Sequence, residues 1–510
     1  MSGQADYSAT NNVLDAYVVD PDARMVLDEE LPLYDHPPIL GTPIAQLPTE
    51  ILLEVFVVCV GAANGDMDTS KAPALLTLVC AEWRNLALHT PTLWTRIHIL
   101  APRGTPHTSA ALRLEVAKAK TARCLERLAN WMERSAERPL SISFCSNRYR
   151  YPGAQPASAS AFLRVFSHFS TRWRSVELFF DVADGTMAKL ESLGPNTVPL
   201  LEELAFFCSS QNYGMQPPDW TKLTFLRTAP RLTRCSFTHC ENTITGLPVP
   251  WHNLLHLAID HIGPFSNDSL GHVLRLCTRL LTCTLALHRD PLPFDAPPTN
   301  SAHIEPERAA VPKLQHFSLC GIFSASILSY LTLPSLVQLE IDDADFTEPH
   351  LTSLVHILTT SPSLAVLKLK PGFRSAEAQG QAIFPTRLVS ALPNSLLRLS
   401  LRERTYGTPA DRLTSIGICN SILNLLTADP RRAPNLATLA LVNCRPFAGT
   451  RYQAIRDFLE SRTILPQFRR LYIRYRDSVA EEEEEHPAEL APFEEAGVEL
   501  VFEYPELWDY

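Results

Sequence analysis

The feature that most constrains the fold is a short pattern, L-x-x-L-x-L after a proline or polar residue, that recurs through much of the chain. Eleven copies begin at residues 173, 199, 230, 252, 278, 312, 334, 362, 394, 434 and 466, at intervals of 22 to 40 residues. Such recurrence indicates stacked supersecondary units, because each short strand buries its apolar side chains only against neighbouring copies. The pattern therefore predicts strands that point alternate residues into one shared core.

These copies resemble degenerate leucine-rich repeats. The resemblance implies an α/β fold in which residues 139–477 form a solenoid: a curved parallel sheet with helices or irregular segments on its convex side. The longer intervals contain stretches of helical composition, SNDSLGHVLRLCTRL and FPTRLVSALP. The predicted strands place Cys235 and Cys283 at inward positions, where a small thiol suits an apolar core.

A different pattern precedes the repeats. In PIAQLPTEILLEVFVVCV, Pro48 and Glu50 occupy positions favoured at a helix start, and apolar residues follow at helical spacing from Ile51 to Cys59. A second helix is predicted over residues 74–89, and TPTLWTRIHI closes the unit.

Residues 42–99 resemble an F-box. The resemblance rests on Ile44, Leu47-Pro48, Glu50-Ile51-Leu52, Val55-Phe56, Leu78-Val79-Cys80, Trp83-Arg84, Leu86-Ala87, Pro91, Leu93-Trp94 and Ile97. The connector at 61–74 is longer than the family pattern. The resemblance implies that the unit binds a Skp1-type adaptor and, through it, a cullin. The implied adaptor contacts are Leu47, Pro48, Ile51, Leu52, Val55, Phe56, Val79, Cys80 and Trp83.

The small size of the segment 42–99 allows two interpretations of its apolar side chains. A unit of roughly 50–60 residues cannot bury all these apolar side chains within itself, and a partner groove would cover the excess. Alternatively, these residues pack on the following domain, and Trp83 and Trp94 have a competing role in the core of the unit itself.

The net charge of −10 divides unevenly along the chain. Residues 1–47 hold eight acidic residues and one arginine, residues 481–510 hold twelve acidic residues and no lysine or arginine, and residues 48–480 carry a net charge of +9. We expect an acidic, disordered arm at 1–41 and a connecting helix within 100–138 that leads to the first strand at 139–144. The C-terminal part, 478–510, is predicted to hold an acidic loop at 481–485 and a capping strand at 498–504.

Several classes of protein are disfavoured. The longest apolar stretch, residues 51–63, is too short to span a bilayer, and the N-terminus lacks the pattern of a secretory signal. Twelve scattered cysteines without a CxxC pair suit reduced thiols in the cytoplasm or nucleus. Neither phosphate-loop, zinc-protease nor nucleophile-elbow motifs occur, so we expect no catalytic residues, no cofactor and no metal. The window that contains Cys235, His239, Cys240, His252, His256 and His261 departs from zinc-ligand spacing.

The residues that flank the inward leucines are predicted to form a partner-binding face. They turn basic toward the C-terminal end, at Lys368, Lys370, Arg398, Arg402, Arg470, Tyr472 and Arg474. We expect this part to recognise an acidic segment, phosphorylated or not; the alternative is an ordinary mixed surface. Nucleic acid is disfavoured because aromatic residues are sparse among the basic ones. A further hypothesis is that the acidic run 481–485 competes with the substrate.

Together these patterns predict a substrate-recognition subunit of an SCF-type ubiquitin ligase, which supplies proximity rather than chemistry. One alternative is a scaffold that uses its F-box outside any ligase, and another is an RNA-binding repeat protein.

Overall fold

A parallel sheet of fourteen strands organises the structure, a computed structural model that describes residues 43–61, 65, 67–102, 110–146, 159–181, 185–209, 218–238, 244–262, 267–287, 308–321, 324–372, 378–403, 417–444, 452–462, 467–475 and 489–503. Its strands are β1 Arg96–Leu100, β2 Leu140–Cys145, β3 Trp173–Asp181, β4 Glu203–Ser209, β5 Arg234–Thr238, β6 His256–Ile262, β7 Thr282–Leu287, β9 His316–Cys320, β11 Gln338–Asp345, β12 Val366–Gly372, β13 Arg398–Arg402, β14 Thr438–Cys444, β15 Arg470–Tyr475 and β16 Glu499–Glu503. Two short strands, β8 Ala309–Ala310 and β10 Leu331–Thr332, pair only with each other.

Strand order in the large sheet follows chain order, and every neighbouring pair is parallel. From β4 to β15 the pairing repeats one hydrogen-bond arrangement. The carbonyl of Val337 accepts from the backbone N–H groups of Ala365 and Val366, and the carbonyl of Ala365 accepts in turn from Leu397 and Arg398. The predicted α/β fold with a parallel sheet is confirmed.

Two helices of the described residues precede β1, and the others lie between strands of the large sheet. They are α1 Thr49–Val60, α2 Ala81–Leu88, α3 Ala110–Arg134, α4 Ala159–His168, α5 Thr186–Glu191, α6 Asn267–Leu276, α7 Glu348–Thr360, α8 Ala378–Ala391, α9 Ile418–Ala428, α10 Gln453–Arg462 and α11 Ala491–Glu495. The predicted connecting helix corresponds to α3, and the helical stretches predicted in two long intervals correspond to α6 and α8. Within the described residues, none of the helices combines the length and apolar character needed to cross a membrane.

One face of the sheet is buried and the other is open. On β14, for example, Leu439 and Leu441 are buried, whereas Thr438, Ala440 and Val442 are half-buried. Cys235 and Cys283 are buried in the core, as the repeat pattern predicted. Because a strand alternates its side chains between faces, we call the side that carries Thr438 and its equivalents the open face.

Two expectations about the N-terminal part are wrong. The sheet does not begin at residues 139–144, because β1 precedes that strand and pairs with it from Arg96 opposite Ser141. The predicted helix over 74–89 is divided into a 3₁₀ turn at Leu75–Leu78 and α2, because Cys80 has an extended backbone. Its sulfur accepts a hydrogen bond from the N–H of Trp83 and caps α2.

The C-terminal expectations fall partly on described residues. The predicted capping strand is present as β16, which pairs with β15 at the end of the sheet. The acidic run at 481–485 and the arm at 1–41 lie outside the described residues.

Candidate functional site

Helix α1 presents apolar side chains on two faces. Leu52 and Phe56 are buried, with Phe56 fully inaccessible. Ile51, Val55 and Val58 follow one another at helical spacing on an adjacent face, and 76% of the Val58 side chain is exposed. A helix that is apolar on all sides is normally covered on all sides, so α1 has a face that the described part of this chain leaves uncovered.

Other exposed apolar residues belong to the same unit. They lie before α1, on α1 and in the segment that leads into α2, and they are Ile44, Leu47, Ile51, Val55, Val57, Val58, Leu75, Leu78 and Val79. We call this set the apolar surface. It accounts for most of the large exposed apolar side chains in the described residues. Such clustering marks an interaction surface more often than isolated exposed leucines do.

The nine residues implied as adaptor contacts divide into three groups by exposure. Leu47, Pro48, Ile51, Val55 and Val79 are exposed. Leu52 and Phe56 are buried, which gives them a packing role and leaves them no surface for a partner. Cys80 and Trp83 are partly covered.

Aromatic contacts connect this unit to helix α3. The indole of Trp94 is buried, donates a hydrogen bond to the carbonyl of Ala87 at 2.8 Å, and meets the Trp131 ring of α3 edge-on at 4.8 Å. Trp94 is therefore a core residue. The guanidinium of Arg134 lies 4.6 Å from the Trp94 ring.

The predicted basic residues all lie on the open face of the sheet, and ion pairs engage several of them. Lys368 lies 3.1 Å from a carboxylate oxygen of Glu340, and Lys370 lies 3.2 Å from one of Asp342. Arg470 lies 3.4 Å from an oxygen of Glu499. The basic part of this face is thus bounded by carboxylates of β11 on one side and of β16 on the other.

Two open-face residues have shifted pKa values. Burial and a hydrogen bond donated to Glu503 raise the pKa of Tyr472 to about 12. Burial, with a contribution from the nearby Arg234, lowers the pKa of His256, whose Nδ1 lies 2.7 Å from the Thr282 hydroxyl. Both side chains are therefore neutral at pH 7, and Tyr472 serves as a hydrogen-bond donor.

The Cys/His window does not assemble a metal centre in the described residues. Cys235 points into the core, whereas His256 lies on the open face, so the sheet separates them. His239, Cys240 and the side chain of His261 lie outside the described residues. Within the part of the chain that the structure describes, no group of three or more potential ligands is close enough to hold a metal ion.

One hydrogen-bonded chain on the open face combines residue types used in catalysis. The Ser143 hydroxyl donates to Glu177 at 3.0 Å and lies 2.9 Å from Nδ1 of His98. In a nucleophilic triad the histidine lies between serine and acid, whereas here the serine lies between the other two. Its proton is directed at the carboxylate, so this arrangement does not activate the hydroxyl toward His98.

Some features of these surfaces were not anticipated from the sequence. Val57, Val58, Leu75 and Leu78 are exposed, although only their neighbours were implied as contacts. On the open face, the rings of Phe179 and Phe207 stack at 4.3 Å with 10° between their planes. The signal for the stack was present, because both residues occupy equivalent positions of adjacent repeats.

No family model matches the chain, and no curated protein matches it either.

Proposed function

We propose that this chain is the substrate-recognition subunit of an SCF-type ubiquitin ligase. In this proposal residues 42–99 are an F-box that binds a Skp1-type adaptor, and the sheet is a leucine-rich-repeat solenoid whose open face holds a protein substrate. The adaptor connects the chain to a cullin, and the ligase's other subunits perform ubiquitin transfer.

The apolar surface is the observation that carries the proposal. Ile51 and Val55 are one turn apart on α1 and are 49% and 36% exposed. Full burial of an exposed side chain of this kind yields roughly 1.5–3 kcal/mol, and the share that belongs to the exposed part of Ile51 and Val55 is gained only if a partner covers them. A helix that offers apolar residues at this spacing fits a groove on another protein.

The sheet supports the second half of the proposal. Its strands follow chain order, and the same leucine positions are buried in successive units, as at Leu339, Leu367 and Leu399. Each unit therefore packs on its immediate neighbours, which is the organisation of a repeat array. The open face is left for a ligand.

The decisive experiment is co-purification of the full chain with a Skp1-type adaptor and a cullin. Ile51→Glu with Val55→Glu should abolish adaptor capture, because two carboxylates cannot enter an apolar groove unpaired. The matched control is Leu276→Glu with Ile383→Glu, which alters two side chains that are each 43% exposed outside residues 42–99. That control should capture adaptor like the unaltered chain.

The pattern of capture separates the alternatives. Adaptor together with cullin supports the ligase, and adaptor without cullin supports a non-ligase scaffold. Failure of the unaltered chain to bind adaptor removes the proposal.

A further inference from the structure

Strand β14 carries only small, uncharged side chains on the open face, and we call this strand the floor of the basic part. Its outward side chains are Thr438, Ala440 and Val442, all small and half-buried. An approaching backbone would meet no long side chain along this strand.

Arginines stand on both sides of that floor. The pairing places Arg398 and Arg470 on either side of Thr438, and Arg402 and Arg474 on either side of Val442. Neighbouring strands lie roughly 4.8 Å apart and residues roughly 3.3 Å apart along a strand. The four arginines therefore mark a rectangle of about 10 Å by about 13 Å, which we call the arginine frame.

The frame contains an excess of positive charge. The nine outward residues of β13, β14 and β15 between residues 398 and 474 include four arginines and no carboxylate. The next residue after Arg402, Glu403, is buried and accepts a hydrogen bond from the backbone N–H of Cys419 at 2.9 Å. Arg398 and Arg402 are exposed, and no ion pair engages either one within the described residues.

We propose that the arginine frame binds an extended, carboxylate-rich segment of a partner protein that lies along β14. Carboxylates four residues apart in an extended chain are about 13 Å apart, which equals the separation between the two rows of arginines. Arginine pairs with carboxylates through two parallel hydrogen bonds. The binding site stands on its own geometry, whereas the identification of the segment as a ligase substrate rests on the proposed function.

The same geometry disfavours a nucleic acid. Glu340 and Asp342 on β11 and Glu499 and Glu503 on β16 flank the basic strands. These carboxylates confine the basic area to about four strands, roughly 15–20 Å across, and would repel a longer polyanion. Tyr472, the one aromatic side chain of the frame, is engaged by Glu503, which leaves no stacking platform of successive aromatics.

The test measures binding of a fluorescein-labelled Ser-Glu repeat peptide of about twelve residues to the full chain by fluorescence anisotropy at low salt. Arg398→Glu with Arg402→Glu should weaken binding by about tenfold or more. Arg398→Lys with Arg402→Lys should weaken binding by only about threefold, because lysine retains the charge but cannot form the two parallel hydrogen bonds of arginine. The matched control, Arg227→Glu with Arg231→Glu, alters two exposed arginines at the same spacing away from the frame. It should change binding by about twofold or less.

Three results would overturn the proposal. One is equal binding of a Ser-Gln repeat peptide of the same length, which lacks the carboxylate side chains. Another is equal loss of binding in the Arg227/Arg231 control. The third is tighter binding of a twelve-nucleotide RNA through the same arginines, which would identify a nucleic-acid interface. Circular dichroism checks that each variant folds. If the variant with Arg398→Glu and Arg402→Glu does not fold, peptide binding is measured on Arg398→Gln with Arg402→Gln, for which we expect about fivefold weaker binding.

Adaptor capture is measured on the same variants. Because the frame and the apolar surface lie in different parts of the chain, the arginine variants should still capture adaptor. If the frame variants lose peptide binding and the Arg227/Arg231 control does not, the arginine frame is confirmed, whether or not the unaltered chain captures adaptor.

Discussion

The ring of Phe56 on α1 meets the indole of Trp83 on α2 at a centroid distance of 4.9 Å, with 60° between the planes. This edge-on contact joins the two helices of the N-terminal unit. Trp83 therefore packs inside the unit, whereas Ile51, the residue five positions before Phe56, is exposed.

We expect Phe56→Ala to lower the free energy of unfolding by about 3–5 kcal/mol, because it leaves a cavity beneath α1 and α2. Ile51→Ala should change that free energy by no more than about 0.5 kcal/mol. Urea titration followed by tryptophan fluorescence measures both. Equal destabilisation by the two variants would contradict the assignment of two faces to α1.

Leu47→Ala with Pro48→Ala should abolish capture of a Skp1-type adaptor without altering the circular dichroism spectrum. Both residues are exposed at the start of α1, so their truncation removes contact area and leaves the core intact. If the variant still captures the adaptor, the adaptor binds another surface of the chain.

The repeat pattern predicted most of the sheet because one rule operates in every unit. A strand whose second and fourth residues are apolar must turn the others outward, so the open-face positions from Arg398 to Arg474 follow from the sequence alone. The strand β1 was missed because its residues end the first helical unit and lack the leading leucine of the repeats.

The ion pairs formed by the basic residues could not be predicted from the sequence. Lys368 and Glu340 are 28 positions apart, and they meet because β11 and β12 pair in one register. That register depends on packing across several units. For the same reason, the sequence predicted that seven residues share one face, but it did not predict that four of them, all arginines, surround the uncharged strand β14.

The exposed face of α1 was predicted in part. Helical spacing distinguishes two faces, but it does not say which of two apolar faces meets the core. That choice follows from Trp83, which lies beyond the connector in sequence and packs edge-on against Phe56.

The buried thiols should resist alkylation. Burial raises the pKa of Cys277 to about 12, and burial together with the neighbouring Cys277 raises the pKa of Cys283 as well. At pH 8 we expect iodoacetamide to label the exposed Cys59 in the native chain and to label Cys277 and Cys283 only after denaturation. Mass spectrometry of the peptides checks this; native labelling of Cys277 as fast as Cys59 would contradict it.

The same shifts give a pH dependence. The folded pKa of Cys277 is above its unfolded value of 9.0, so the unfolded chain loses this proton first as pH rises. The stability contributed by the neutral thiol is complete below pH 9 and is lost between about pH 9 and pH 12. Cys277→Ala should reduce the decline in stability over this interval.

The side chain of Arg462 holds together the segment between α9 and β14. It is 2% exposed, and its terminal nitrogens lie 3.2–3.4 Å from the carbonyl oxygens of Leu426, Pro430, Arg432 and Ala433. This segment leads into β14, the central strand of the arginine frame.

We expect Arg462→Met to lower the free energy of unfolding by about 3 kcal/mol or more, because it keeps the volume but leaves these buried carbonyls without a donor. Arg456→Met on the same helix is the control: its guanidinium is exposed beside Glu460 at 2.7 Å, and its loss should leave the free energy of unfolding nearly unchanged. Urea denaturation measures both, and equal stability of the two variants would contradict the role of Arg462.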